Sequence, residues 1–307
     1  MMGFLLSSSF WFSVLASTTP VMLATLAANI VSQAGIFNLA IEGTMLICAL
    51  AGVLGSAWTG NLLVGAVAGL FFGILVSFIL GYFTLVMRGP MNACGVAINL
   101  AATGGTVFVL VLTAGSKITS SALVSKTFPN VKIPGLSAIP FIGKVLSGQN
   151  FLTYVGWILV AVTWFLLYKT KLGLNIRAVG ENEEAARSAG INVLKTRFIS
   201  LLFCGVFCAL GGMYLSMGSL KSFTAGMVAG RGYLSLAMQA ISQGNPVVGF
   251  LSSLLYGFSD TITVYLQLYS NLDLKLIDAF PYVFIIVVLT ILQVSKSKAE
   301  ERRAKAA

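Results

Sequence analysis

The chain has 307 residues, 57% of them hydrophobic and 9% charged, with a mean hydropathy of +0.94. Soluble domains use about 25% charged residues, so this composition excludes a soluble globular protein and points to lipid. The formal net charge of +10 gathers in a few connections and the C-terminal tail, as membrane topology alone requires, and gives no reason to expect a nucleic-acid partner.

Nine apolar stretches are long enough to cross a bilayer: 10–32, 39–57, 62–87, 92–114, 151–168, 198–218, 226–243, 246–268 and 279–295. They lack the alternation of a barrel strand, and unpaired backbone groups in hydrocarbon cost several kcal/mol each. The fold expected is therefore all-α, a polytopic membrane helical bundle of about nine transmembrane helices (eight to ten), forming one membrane domain over 1–307. The charged side chains inside these stretches are Glu42, Arg231 and Asp260.

In chain order, the first stretch sets Thr18, Thr25, Asn29 and Ser32 on one helical face, at about 100° per residue. Glu42 opens the second stretch, near its end, where it snorkels or caps. The fourth repeats the polar seam with Asn92, Asn99, Thr103 and Thr106. Residues 115–150 then form a long polar connection with Pro129, Pro134 and Pro140, either folded on the surface to meet a partner or a disordered linker. The seventh stretch carries Arg231, Ser235, Gln239 and Ser242; the eighth carries Ser252, Tyr256, Ser259 and Thr263. Such seams either line a hydrated path or join packed helices. The candidates for a path are Asn29, Asn92, Asn99, Thr103, Ser235, Gln239, Ser259 and Asp260. Asp260 is the deepest charge, either a cavity residue or a buried acceptor.

The connection 169–197 is the most informative segment. Gly180 is expected to stop the preceding stretch, and Asn182 to cap a short helix with Glu183 and Glu184 in its first turn. Ala185, Ala186 and Ala189 favour helix with little bulk, and Gly190 suits the left-handed position that ends it. A helix of about two turns is marginal by itself in water, so it docks either on its own membrane domain or on another protein.

Lys and Arg set the orientation. With the C-terminus in the cytoplasm, segments 88–91, 169–197 and 296–307 hold twelve basic residues, against six in 115–150, 219–225 and 269–278. That makes 115–150 extracytoplasmic, 169–197 a cytoplasmic loop and 296–307 a cytoplasmic basic tail, with the N-terminus outside. The first residues lack the positive region of a cleavable signal.

Here the run Gly180-Glu181-Asn182-Glu183-Glu184-Ala185-Ala186-Arg187-Ser188-Ala189-Gly190-Ile191-Asn192-Val193 resembles the cytoplasmic coupling segment of permeases from ABC importers of the ribose, galactoside and nucleoside type, within the branched-chain permease superfamily. AGIFNLAIEG at 34–43, GNPVVGFLSSLLYGFSD at 244–260 and FPYVFIIVVLTIL at 280–292 are similar to the same family in the same order. The resemblance implies a single permease domain in the bacterial cytoplasmic (inner) membrane, working with a second permease (paralogue or self), cytosolic ATPases and an extracytoplasmic solute-binding protein. It places the ATPase grip at Gly180 to Arg187 with Ala189 and Gly190. Several members have ten spans; this chain begins one helix later, and that feature with the FNLAIEG wording favours nucleosides over sugars.

The chemistry agrees with a subunit that is not itself an enzyme. No GxxxxGK[ST] loop occurs; Gly143-Lys144 continues Val-Leu. There is no His, no GxSxG and no close pair of carboxylates within a span. No cofactor is expected on this chain, with ATP and Mg on the partner ATPase. Cys48, Cys94, Cys204 and Cys208 form no CxxC, so no metal site is expected, although Cys204 and Cys208 share a helix face where weak metal or redox chemistry stays open. A secondary transporter or channel is the alternative reading, and it would need coupling groups that one deep carboxylate scarcely provides.

Overall fold

A computed structural model describes residues 7–133, 141–269 and 273–306. In chain order the helices are α1 (Ser8–Gln33), α2 (Ile41–Thr59), α3 (Leu62–Gly81, widening into a π turn over Tyr82–Val86), α4 (Met91–Ala114), α5 (Ile142–Leu146) and α6 (Phe151–Lys169). There follow α7 (Lys171–Glu181), α8 (Glu183–Ser188), α9 (Val193–Met213, with a π turn over Tyr214–Ser219), α10 (Arg231–Ser242), α11 (Pro246–Tyr269) and α12 (Leu274–Ala306).

Seven of these, α1, α2, α3, α4, α6, α9 and α11, are long and apolar enough to cross a membrane. The last expected stretch lies within the 33-residue α12, whose apolar part is Leu276–Ile291. Residues 296–306, expected as a basic tail, continue that helix.

The bundle is organised around α1. Every residue from Thr18 to Val31 is buried, as a helix apolar on all sides must be when neighbours surround it. Helices α9, α10 and α11 pack along it. Close helix crossings replace the hydrophobic effect, which has little force between helices in lipid. At the α3–α9 crossing a Cβ on Gly205 would sit 2.3 Å from the carbonyl oxygen of Gly73, so only glycine fits. By contrast, α3 shows Phe71, Phe78, Ile79 and Phe83 outward, an apolar face suited to acyl chains.

The seventh expected span, 226–243, is corrected by the structure. It is helical only over the twelve residues of α10, which rise about 18 Å, short of roughly 30 Å of hydrocarbon. Gly226, Ala229 and Gly230 adopt positive φ of 70°, 51° and 79°, which breaks the helix before Arg231. The segment still traverses the bundle. At one end the Phe223 N–H donates to Ser120 Oγ (2.8 Å), and at the other Gln33 Nε2 donates to the Gln243 carbonyl (3.2 Å).

The described part of 115–150 is a packed cap over one end of the bundle. Thr119 and Asn130 form isolated bridges with Thr224 and Asn150. The Lys126 N–H donates to Ser56 Oγ (2.9 Å), and the Phe128 N–H to the Met217 carbonyl (3.0 Å). Pro134 and Pro140 lie outside the described residues.

Candidate functional site

Helix α8 is built from local signals. Asn182 Oδ1 accepts from the Ala185 N–H at 3.0 Å, giving the N-cap. At the other end the Ile191 N–H reaches the Ala186 carbonyl (3.0 Å) while Gly190 holds φ +82°, a left-handed stop. Ala186 is buried against Val179 and Val193, whereas Glu184, Ala185 and Ala189 face outward. Glu183 ties the helix down, accepting from Arg187 (2.7 Å) and Arg197 (2.8 Å). The small outward face of α8 is thus held rigidly at the end of the bundle and left open.

Gly180 does not stop the preceding helix. Helix α7 runs through it to Glu181 and ends where Asn182 turns extended (φ −153°, ψ 107°). The role of Gly180 is contact: a Cβ there would lie 2.1 Å from the Gln33 carbonyl oxygen, so α7 rests directly on the end of α1.

The second feature is the break before α10. A helix N-terminus leaves N–H groups without intrahelical partners, and in an apolar bundle they must be satisfied. Glu42, at the start of α2, supplies both oxygens: Oε1 accepts from the Gly230 N–H (2.8 Å) and Oε2 from the Gly232 N–H (2.7 Å). The carboxylate also opposes the positive end of the helix dipole. Arg231 folds back on the Met227 and Val228 carbonyls (both 3.3 Å), and Tyr282 of α12 donates to the Ala229 carbonyl (3.3 Å).

Asn99 fixes the same level. Its Oδ1 accepts from the Gly43 N–H, and its Nδ2 donates to the Leu39 carbonyl and to Tyr233 Oη, each at 2.8 Å. Tyr256 donates to Asp260 Oδ1 at 3.2 Å. Around one break, then, stand Glu42, Asn99, Arg231, Tyr233, Tyr282 and the Tyr256–Asp260 pair. Tyr233, in the first turn of α10, and Tyr282, about two turns into α12, remain 48% and 45% exposed.

The sequence-derived path residues divide in two. Asn99, itself buried, holds Tyr233 beside the break and Asp260 accepts from Tyr256, while Asn92 and Thr103 are exposed on the adjoining face of α4. Asn29, Ser235, Gln239 and Ser259 are engaged in packing. Asn29 accepts from Ser242 (2.8 Å), Gln239 donates to Ser32 (2.7 Å), and Ser235 and Ser259 donate to the Gly232 and Tyr256 carbonyls (2.5 and 2.8 Å). Tyr233, Tyr282 and the capping role of Glu42 towards α10 were not selected from sequence. The signal present was the run Ala229-Gly230-Arg231-Gly232, two glycines around a charge inside an apolar stretch.

Residues 10–289 match the family described as branched-chain amino acid transport system, permease component. The guanosine ABC transporter permease protein NupQ of Bacillus subtilis is 31% identical over 288 residues, covering 91% of this chain and 90% of that protein. The nucleoside ABC transporter permease protein NupC of Lactococcus lactis is 30% identical over 290 residues, covering 91% and 90%. Among solved structures, PsaBC from Streptococcus pneumoniae in complex with Fab superposes with a TM-score of 0.52 at 11% identity, over 90% of this chain and 88% of that one. That likeness concerns the fold alone.

Proposed function

Because the chain belongs to the branched-chain amino acid transport system permease component family, we propose that it is the permease of an importer for nucleosides, with its path along the face where α10 breaks. Permeases of this family are multi-pass membrane subunits that carry no ATPase of their own and work with a separate ATPase and a solute-binding protein. In this reading ATP and Mg sit on the ATPase, and the end bearing α7 and α8 faces the cytosol.

The break carries the proposal. Irregular backbone at membrane depth is tolerated only where protein buries it or water lines it. Tyr233 is bonded to Asn99, roughly two turns into α4, deeper than the interfacial belt where tyrosines normally sit. An exposed phenol at that depth needs a polar cavity. Two tyrosine rings, one of them held by Asn99, together with Arg231 and Asp260 offer π faces and hydrogen-bonding groups to a neutral, planar base with a polyol attached. A second permease subunit, paralogue or self, closes the cavity over the open face of α4, where a Cβ on Gly104 or Gly105 would meet no other part of the chain within 4 Å.

The test is uptake by the reconstituted permease–ATPase complex with its binding protein, offering guanosine, another nucleoside, ribose and glucose in parallel. ATP-dependent uptake of nucleosides is expected. Uptake of sugars without nucleosides overturns the substrate, and uptake that follows an ion gradient without ATP overturns the mechanism. Ala185→Trp adds bulk to the outward face of α8; normal insertion with transport reduced at least about tenfold is expected, a cost of roughly 1.4 kcal/mol or more at the docking surface. Wild-type transport would remove α8 from the coupling role.

A further inference from the structure

A depression of about 300 Å³ lies where α3, α8 and α9 meet. Its charged wall is Arg88, Arg187 and Arg197 with one carboxylate, Glu183. Both oxygens of Glu183 are already engaged, one with Arg187 and the other with Arg197. Arg88, on the turn that ends α3, has no ion-pair partner among the described residues. Three guanidinium groups therefore share one carboxylate, and the pocket is short of negative charge.

The opposite wall is apolar, formed by Leu85, Val193 and Leu194. It continues upward into the outward face of α3, where Tyr82, Phe83 and Val86 are exposed and where no exposed charged side chain intervenes before Arg88. A ligand that fits must put an anion among the arginines and a hydrocarbon chain along α3. Guanidinium groups match phosphate oxygens by paired hydrogen bonds, and basic pockets between membrane helices take anionic headgroups.

We propose that this pocket binds the phosphate of an anionic phospholipid, with an acyl chain lying along α3. A zwitterionic lipid brings an ammonium group that the arginines repel. The phosphate would bridge Arg88 at the end of α3 to Arg187 on α8 and Arg197 on α9. Insofar as α8 is the coupling helix, which rests on the function proposed above, the lipid would then stiffen the link between that helix and the membrane domain.

The experiment uses the intact permease–ATPase complex in vesicles of phosphatidylcholine containing a photoactivatable phosphatidylglycerol or, in parallel, a photoactivatable phosphatidylcholine. Adducts are mapped by mass spectrometry. Crosslinks from phosphatidylglycerol to peptides containing 82–88 or 193–197 are expected, with few from phosphatidylcholine. Arg88→Gly suits the positive φ of 58° at that position and should lower the yield roughly tenfold, as loss of one charge-assisted contact implies. Lys221→Gly, at a similar φ of 59° near the other end of the bundle, should leave it unchanged.

Equal labelling by both lipids, or unchanged labelling in Arg88→Gly, overturns the proposal. So does displacement by inorganic phosphate, which assigns the site to a soluble anion. Labelling seen only when the ATPase is stripped away gives the arginines to an acidic surface of that partner and equally overturns it. Because the readout is an adduct and not transport, it stands apart from the test of the substrate.

Discussion

Two short helices, α8 and α10, solve the same problem in opposite ways. Each has an N-terminus whose free N–H groups need acceptors. Helix α8 takes its cap from Asn182, three residues before Ala185. Helix α10 takes its cap from Glu42, 188 residues before Gly230. The first is specified by its own sequence and works in water at the edge of the bundle. The second exists only once α2 has been brought beside it, and its acceptor comes from that neighbouring helix. A locally specified helix suits the docking role proposed for α8, in which its shape must persist whatever the bundle does. A helix capped from a distance suits a path, because its shape is tied to the arrangement of the bundle.

The sharpest way to break the contrast is to remove the distant cap. Glu42→Ala orphans the Gly230 and Gly232 N–H groups, a loss on the order of 2–6 kcal/mol, and should leave little folded protein in the membrane. Glu42→Gln keeps one acceptor and should restore much of the yield. Membrane-inserted yield and thermal unfolding of the detergent-solubilised chain measure both, and wild-type stability in the alanine variant would remove Glu42 from its role.

A smaller effect is expected where the local element meets the bundle. Gly180→Ala forces α7 off the Gln33 carbonyl, an overpacking cost of about 1–3 kcal/mol. The chain should insert normally while uptake falls and melting shifts down; unchanged uptake would mean that the α1–α7 contact does not carry coupling. The smallest change is Asn182→Ala, which removes the local cap at a cost of about 1 kcal/mol. It should fray α8 and weaken co-purification with the ATPase without lowering membrane yield. If it proved as damaging as Glu42→Ala, the distinction between local and borrowed caps would fail.

How much was readable in advance follows the same division. The two-turn helix, its Asn182 cap and its Gly190 stop were legible because cap, propensity and terminator all lie within ten residues. Gly180 reads as a terminator in sequence because a glycine needed for close approach to another segment looks, in one dimension, like a glycine needed for a turn. The polar seams were legible as seams. What they face was not, since Asn29 against Ser242 and Asn99 against Gly43 differ in partner and not in local pattern. Tyr233 and Tyr282 carry no signal of their own, being two aromatic residues in apolar stretches.

Hydropathy over twenty-residue windows determined that this chain lives in lipid and is helical, because the bilayer imposes those outcomes stretch by stretch, and local cap and stop signals determined the short helix between its membrane helices. Only the assembled bundle decided that 226–243 breaks at Gly230. A free N-terminus at membrane depth is stable when a carboxylate meets it, and that meeting depends on how α2 and α10 pack. The sequence spells out each side chain, and the packing chooses its neighbour.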